Sequence, residues 1–170
     1  MNFQSSMVVT NLSTSMMLDS IANKTIRTKI GEAHVVQKMN ELNISIGGEG
    51  NGGVILKEAH LGRDSLVAIS MILSLLSTSG KSITEEIAEI PKYLMIKDKI
   101  RINKNIDFDS LETIFDCDEI NKLDGIKFSW PDKWIHIRKS NTEPIIRIFA
   151  EASTQLEVDE LINTLKNYLK

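Results

Sequence analysis

A short polar segment near the end of the chain, RKSNTEPIIR, places two arginines on either side of a turn. The residues of this segment that suit a phosphate are Arg138, Ser140, Asn141, Thr142 and Arg147. Guanidinium groups bind phosphate oxygens through paired hydrogen bonds, and hydroxyls, an amide and turn N–H groups add neutral donors. The segment therefore predicts a phosphate site. The open alternative is a solvated hairpin tip in which Glu143 pairs with one arginine.

The glycine-rich stretch GGEGNGG is a second segment that could bind a ligand. Glu49 offers a carboxylate for vicinal hydroxyls, Asn51 offers an amide, and the glycines allow a close approach to the backbone. These features predict a sugar site, with a plain turn as the open alternative. Gly48, Gly50 and Gly53 also match G-x-G-x-x-G, but the residues that follow look extended, which argues against a dinucleotide site.

Length and charge limit the classes of partner. The chain has 170 residues, enough for one domain with a sizeable core or for two small ones. With 20 basic and 23 acidic residues its net charge is −3, so no general basic field is available to bind nucleic acid. The apolar stretch LVAISMILSLL is too short and too interrupted by serine to cross a membrane. We therefore expect neither nucleic acid nor a membrane as a partner.

The cysteine and histidine residues of the sequence indicate a reducing compartment and do not indicate a metal site. Cys117 is the only cysteine, so no disulfide can form within the chain, and its aspartate neighbours make a reactive thiolate unfavourable. The histidines are scattered, without a second ligand at metal spacing. The start of the chain lacks the order of a secretory signal. The sequence predicts a cytoplasmic protein without a bound metal.

Strand and helix patterns alternate through the first half of the chain. Short apolar runs predict strands at MVVTNL, TIRT, NISI and VILK, whereas GGEGNGG is expected to hold no regular element. Helical spacing is found in STSMMLDSIANK and GEAHVVQKMNEL. DSLVAISMILSLLSTSG is apolar almost all round, which predicts a buried helix ending at Gly80. This order predicts an α/β domain with a mixed, partly parallel sheet and helices.

The second half of the chain shows a different pattern of strands and helices. GIKFSW, a Pro-Asp turn and WIHIR predict a hairpin, IIRIFAE predicts another strand, and Thr154 and Glu157 predict the cap of a last helix. These elements predict an α+β domain with an antiparallel sheet packed by helices. The charged segment around residues 97–104 predicts the boundary, which gives domains at 1–98 and 99–170.

Several of these segments together resemble one family, the α-D-phosphohexomutases, which include phosphoglucomutase, phosphomannomutase and phosphoglucosamine mutase. RKSNTEPIIRIFAEA resembles the phosphate-binding loop of the last of the four family domains. GGEGNGGVI with LGRDS resembles the sugar-binding loop of the third domain in its archaeal-type form, and VVTNLSTS and RTKIGEAHVVQKM resemble the same domain in the right order. The resemblance runs from about Met7 and implies the C-terminal half of such an enzyme, with the third domain incomplete at its start.

The resemblance implies a role for each candidate residue. Family members interconvert hexose 1-phosphate and 6-phosphate through a phosphoserine and a bisphosphate intermediate. Glu49 and Asn51 fall on the sugar contacts, and the Arg138–Arg147 segment falls on the contacts to the phosphate that is not being transferred. Relatives often have histidine where Gly53 and Glu32 stand. Relatives also frequently have lysine or arginine where Met16 stands.

The parts that transfer the phosphoryl group are missing from the sequence. No phosphoserine loop and no aspartate-rich metal loop is found, and phosphoryl transfer needs a donor and an electrostatic clamp. We therefore expect no catalytic residue and no cofactor in this chain, inactivity of the chain alone, and magnesium only in the full-length family enzyme. The expected partners are a hexose phosphate and the missing N-terminal half.

Two alternatives remain open at the level of the sequence. The same loops would serve a stand-alone, non-catalytic sugar-phosphate binding module. They would also serve a partner subunit that completes a split mutase, which an exposed apolar patch on the first domain would favour. Glucose, mannose and glucosamine phosphates would all make similar contacts with Glu49, so the preferred hexose is left open.

Overall fold

A computed structural model describes residues 7–101, 107–140 and 143–169, and the chain divides into two compact units, Met1–Lys92 and Tyr93–Lys170. The first unit contains β1 (Met7–Asn11), β2 (Lys24–Thr28), α1 (Glu32–Leu42), β3 (Ile46–Glu49), β4 (Gly53–Leu56), α2 (Ser65–Ser79) and α3 (Ile83–Ala88). The second unit contains β5 (Leu94–Arg101), β6 (Glu119–Asn121), β7 (Ile126–Ser129), β8 (Trp134–Lys139), β9 (Ile145–Ala152) and α4 (Gln155–Tyr168).

The first unit is the predicted α/β arrangement. Its sheet has the order β2-β1-β3-β4, with β1 parallel to both neighbours and β3 antiparallel to β4. Helix α1 covers one face of this sheet. The core between them consists of Val9, Val35, Met39, Ile44 and Ile55.

The glycine-rich stretch departs from its expectation. GGEGNGG does hold regular structure, because it forms the end of β3, a turn and the start of β4. A Cβ built on Gly47 would clash with the sulfur of Met39. Glycine at this position therefore lets α1 pack close against the strand, and it supports the sheet instead of interrupting it.

Two helices of the first unit also differ from expectation. Helix α2 begins after the side-chain cap of Asp64 and ends at Gly80, as predicted, but it has no buried residue, and Leu66 and Leu73 are 74% and 61% exposed. Among the described elements its main contact is with β4, and several of its large apolar side chains are left exposed. The helix expected after β1 is reduced to one 3-10 turn at Met16–Ser20.

The second unit is an antiparallel sheet of order β5-β9-β8-β7-β6 packed by α4, as predicted. Val158, Leu161, Ile162 and Leu165 of α4 face the sheet. This unit begins at Tyr93, and residues 97–101 of the charged segment belong to β5, which pairs with β9 over its whole length.

None of the helices in the described part of the chain combines the length and the continuous apolar character that a bilayer crossing requires.

A buried histidine makes the second unit sensitive to acid. His136 is fully buried on β8, and its Nε2 lies 2.5 Å from the carbonyl oxygen of Asp124, to which it donates as the neutral tautomer. Burial is the main cause that lowers the pKa of His136 from 6.5 to about 4. Between pH 6.5 and about 4 this histidine is protonated in the unfolded chain and neutral in the folded chain. The free energy of unfolding therefore decreases as the pH falls through this range.

We expect this histidine to contribute a loss of about 3 kcal/mol in the free energy of unfolding between pH 6.5 and 4. The measurement is urea unfolding at a series of pH values, followed by tryptophan fluorescence, because both tryptophans lie in the second unit. His136→Gln should flatten the profile, whereas His34→Gln, at an exposed position, should leave it unchanged. Equal profiles for the parent and His136→Gln would contradict the assignment.

Candidate functional site

The candidate sugar residue Glu49 lies at the carboxyl edge of the first sheet. Asn11 is the last residue of β1 and Glu49 is the last residue of β3, and these strands are parallel neighbours. The chain adds β2 on one side of β1 and β3 on the other, so the strand order reverses at β1. In open α/β sheets this switch point is where ligands bind, outside the carboxyl ends of the strands.

The Glu49 carboxylate is held in one position by three groups. Its Oε1 accepts from Nδ2 of Asn11 at 3.0 Å and from the backbone N–H of Gly31 at 3.1 Å, and its Oε2 lies 3.3 Å from Nη1 of Arg63. Gly31 is the N-cap residue of α1, so the positive end of that helix faces the carboxylate. The side chain is only 6% exposed. A carboxylate has about four lone-pair positions, so it retains capacity for a ligand hydroxyl.

Arg63 joins Glu49 to a second carboxylate. Its Nε lies 2.7 Å from Oε2 of Glu32, and its backbone N–H donates to Oε1 of Glu32 at 3.0 Å. These backbone and side-chain hydrogen bonds lower the pKa of Glu32. A Cβ built on Gly53 would clash with Cδ of Arg63, so the arginine reaches both carboxylates only beside glycine. Two positions at which the sequence departs from the family resemblance, Glu32 and Gly53, therefore meet around one side chain.

Asn51 lies in the turn between β3 and β4. Its Oδ1 accepts from the backbone N–H of Gly53 at 3.2 Å, and the N–H of Gly52 donates to the carbonyl of Glu49 at 3.1 Å. Gly52 has a φ of 93°, which favours glycine. Asn51 is exposed at the tip of the hairpin whose other side carries Glu49.

The arginines of the second candidate site lie on adjacent strands. Arg138 on β8 is directly opposite Arg147 on β9, and Lys99 on β5 is directly opposite Arg147 on its other side. Directly opposite residues share a face with Cβ atoms about 5 Å apart. Three cations thus form one row across three strands.

Acidic neighbours balance this row only in part. Arg147 pairs with Glu143 at 3.0 Å, and both side chains are substantially exposed. Arg138 is 14% exposed, its Nε is 3.6 Å from Oδ1 of Asp124, and this Nε makes no hydrogen bond within the described residues. The alternative hairpin-tip ion pair is therefore present at Arg147, while Arg138 keeps a buried donor without an acceptor.

The loop that joins these strands is described in part. The backbone N–H of Ser140 donates to the carbonyl of Ile145 at 2.9 Å, which closes the base of the loop. Asn141 and Thr142, two of the candidate phosphate residues, lie outside the described residues. Among residues 7–101, 107–140 and 143–169, no three His, Cys, Asp or Glu side chains form a group that could hold a metal ion.

Sequence reasoning missed three residues that the structure adds to these sites. Asn11 and Arg63 contact Glu49, and Lys99 lies beside Arg147. Asn11 ends a predicted strand and Arg63 belongs to the quoted LGRDS segment, so the sequence contained a signal for both. Lys99 depends on strand register, which the sequence of β5 alone does not reveal.

The dependence of Arg63 on Gly53 can be tested by titration. In Gly53→Ala the new methyl group should displace Arg63, so the pKa of Glu32 should rise toward 4.5. Carboxyl carbon NMR across a pH series measures this value. Glu41, whose pKa is lowered by the side-chain hydrogen bond from Lys38, is an internal control that should not change. An unchanged Glu32 in this variant would show that Gly53 does not control the arginine.

Comparison with family models covers nearly the whole chain. The model described as phosphoglucomutase/phosphomannomutase, alpha/beta/alpha domain III, matches residues 2–93. The model described as phosphoglucomutase/phosphomannomutase, C-terminal domain, matches residues 83–167.

Curated relatives agree with these models. A phosphoglucomutase/phosphomannomutase from Thermococcus kodakarensis is 37% identical over an alignment of 168 positions, which covers 92% of this chain and 36% of the relative. A phosphoglucosamine mutase from Methanococcus maripaludis is 32% identical over an alignment of 168 positions, which covers 92% of this chain and 37% of the relative. The chain therefore spans little more than a third of the length of these relatives.

Solved structures show the shared fold. A phosphoglucomutase/phosphomannomutase family protein from Burkholderia thailandensis matches with a TM-score of 0.81 and 20% identity, over 98% of this chain and 37% of that chain. An N-acetylglucosamine-phosphate mutase, a member of the alpha-D-phosphohexomutase superfamily, matches with a TM-score of 0.69 and 16% identity, over 98% and 39%. The chain therefore belongs to the phosphohexomutase family and corresponds to its third and C-terminal domains.

Proposed function

We propose that this chain is the substrate-holding part of a phosphohexomutase, with one unit that orients the sugar and one that grips the phosphate not in transfer. The observation that carries the proposal is the cation row of the second unit, in which Arg138 and Arg147 face each other across adjacent strands. Like charges placed directly opposite destabilise a sheet. A bound dianion would convert this repulsion into paired, charge-assisted hydrogen bonds.

The burial of Arg138 and the weak, exposed ion pair of Arg147 support an anion site over a solvated hairpin tip. Arg138 is mostly buried, and within the described residues its Nε makes no hydrogen bond but lies 3.6 Å from Oδ1 of Asp124; a buried donor that makes no hydrogen bond costs about 1–3 kcal/mol. The exposed Arg147–Glu143 pair contributes only about 0–1 kcal/mol, so a phosphate could displace Glu143 at little cost. Ser140, Asn141 and Thr142 complete the proposed set, and Lys99 adds a third cation.

The sugar role rests on the fixed Glu49 carboxylate. Asn11, Arg63 and the start of α1 orient it before a ligand arrives, so little side-chain entropy is lost when a hydroxyl donates to it. Asn51 is exposed two residues further on, where its amide can contact a neighbouring hydroxyl. Glucose, mannose and glucosamine phosphates all offer hydroxyls to these two groups.

Such a part contributes to a mutase by positioning, which supplies much of the rate when the reacting group must meet its acceptor. The phosphoserine and the magnesium site belong, in this proposal, to the part of the relatives that this chain does not span.

A second candidate function is that of a partner subunit in a split mutase. The observation that favours it is the uncovered apolar surface of α2, where Leu66, Ile69 and Leu73 are exposed. Exposed apolar residues that recur on one helix are typical of surfaces that dock a partner.

Phosphate binding should be weak but localised. We expect inorganic phosphate to bind with a dissociation constant on the order of millimolar, and Arg147→Ala to weaken binding about tenfold because one charge-assisted contact is lost. The measurement is a phosphate titration followed by NMR. Lys133→Ala removes one positive charge at the other end of β8, about 15 Å away, and should change the affinity little. Shifts spread evenly over the surface, or equal weakening by both variants, would overturn the phosphate site.

The acidic neighbour of Arg147 should act in the opposite direction. Glu143→Gln removes a competitor for Arg147 and a charge that repels phosphate, so we expect affinity to rise about fivefold at low salt. The gain should shrink as ionic strength increases. Glu160→Gln, on the helix that packs against the opposite face of the sheet, is the matched control. If both variants bind phosphate equally well, Glu143 has no place in the site.

A further inference from the structure

Arg63 retains N–H donors that its contacts with Glu32 and Glu49 do not use. Its Nε and its backbone N–H both bind the Glu32 carboxylate, at 2.7 and 3.0 Å, so the position of the guanidinium is fixed. Its Nη1 lies 3.3 Å from Oε2 of Glu49, which is longer than a good hydrogen bond between such groups. A guanidinium carries more N–H donors than these contacts occupy, and no acceptor within the described residues binds Nη2.

The Glu49 oxygen beside Arg63 is also the one with spare capacity. Oε1 of Glu49 accepts from Asn11 and Gly31. Among the described residues, Oε2 contacts only Nη1 of Arg63. A ligand hydroxyl forms normal hydrogen bonds at about 2.7 Å from a carboxylate oxygen and about 2.9 Å from a guanidinium nitrogen. Together with the 3.3 Å between Oε2 and Nη1, these lengths close a triangle, so one hydroxyl can donate to Glu49 and accept from Arg63.

Arg63 is the more accessible member of this pair. Its side chain is 42% exposed, whereas that of Glu49 is 6% exposed. A ligand that reaches the carboxylate at this edge of the sheet therefore meets the guanidinium as well. Gly53 leaves the space in which the arginine lies, because a Cβ at this position would clash with Cδ and Cγ of Arg63.

The charge of the cluster indicates which part of a ligand Arg63 contacts. Glu32 and Glu49 place two carboxylates around the single guanidinium of Arg63. The resulting excess of negative charge repels a phosphate. Neutral hydroxyls meet no such repulsion, and they find a donor and an acceptor side by side. The cluster therefore suits the hydroxyl groups of a sugar and not its phosphate.

We propose that Arg63 is a sugar-contacting residue that, together with Glu49, binds one hydroxyl of a hexose phosphate as both donor and acceptor. This inference rests on the sugar role in the proposed function and adds a residue to it. A sugar without that hydroxyl would leave both groups without their ligand contact. An ammonium at the same carbon would also bind poorly, because it has no lone pair with which to accept from the guanidinium. Glu32 acts as a positioning residue, since it fixes Arg63 before a ligand arrives.

The first measurement is an NMR titration of the full chain with glucose 6-phosphate, in which the arginine Nε–H resonances are followed beside the backbone amides. We expect the Arg63 resonance to shift together with the amides of Glu49 and Asn51. Inorganic phosphate at the same concentrations should shift Arg147 and leave Arg63 unchanged, because it has the charge but not the sugar hydroxyls. An unchanged Arg63 in the glucose 6-phosphate titration, or equal shifts of Arg63 with both ligands, would overturn the proposal.

The second measurement compares two variants that each lose one positive charge. Arg63→Gln should weaken glucose 6-phosphate binding about tenfold, because a charge-assisted hydrogen bond is lost. Lys38→Gln is the matched control, because Lys38 is 39% exposed on α1 of the same unit, and it should change the affinity little. Equal weakening by the two variants would contradict a contact between Arg63 and the sugar.

Deoxy analogues of glucose 6-phosphate, lacking the hydroxyl at C2, C3 or C4, identify the hydroxyl that is read. In the parent, one analogue should bind about tenfold more weakly than glucose 6-phosphate, and Arg63→Gln should reduce this difference. Equal discrimination by the parent and the variant would show that Arg63 does not contact the hydroxyl. The amide spectrum of Arg63→Gln shows whether the variant is folded, and the titration of the parent decides the question if it is not.

The outcomes separate this inference from the proposed function. If glucose 6-phosphate shifts Glu49 and Asn51 but not Arg63, the sugar role stands and the inference fails. If it shifts none of these three residues, the sugar role and the inference fail together. The phosphate titration at Arg147 tests the second unit in either case.

Discussion

The buried carboxylate of Glu49 is the interaction on which the first unit's candidate site depends. It joins the end of β1 through Asn11, the start of α1 through Gly31, and the segment before α2 through Arg63. A nearly buried carboxylate is tolerated only when its oxygens are satisfied, so the three contacts fix the positions of three separate segments around one group. The same contacts that permit burial also fix the orientation of the carboxylate.

In the second unit, positive and not negative side chains lie close together. Its sheet places like charges in register across β5, β9 and β8, with acidic groups beside two of them. The hairpin geometry that stabilises the unit therefore creates a local positive potential in a chain whose net charge is −3. Strand register, and not overall composition, brings these cations together.

Much of this architecture could be predicted from local patterns. The alternation in WIHIR indicates that Ile135 and Ile137 share one face of β8, and both belong to the hydrophobic core. The capping box of Thr154 and Glu157 forms both of its hydrogen bonds. The exposure of α2 could not be predicted, because the sequence of an apolar helix does not show which other elements pack against it. The strand at GGEGNGG was missed because glycine normally weakens strands, and only the packing of Met39 shows why Gly47 suits this one.

The candidate site residues divide in the same way. Glu49, Asn51, Arg138 and Arg147 could be named as candidates from the sequence because their side-chain chemistry and turn context are local. Arg63 acquires its role from contacts with Glu32 and Glu49, which are distant in sequence. Such roles depend on contacts between residues that are distant in the sequence, and these contacts are seen only in the tertiary structure.

Strand β5, whose charges suggested a domain boundary, is one of the two edge strands of the second sheet. Its outer edge presents backbone N–H and C=O groups that another chain's strand could pair with. Lys97, Lys99 and Arg101 are exposed at alternate positions along it, so two such edges brought together would align positive charges and repel each other. The lysines that made this segment look unstructured therefore discourage the sheet from extending into a second molecule, which lowers the tendency of the folded protein to aggregate.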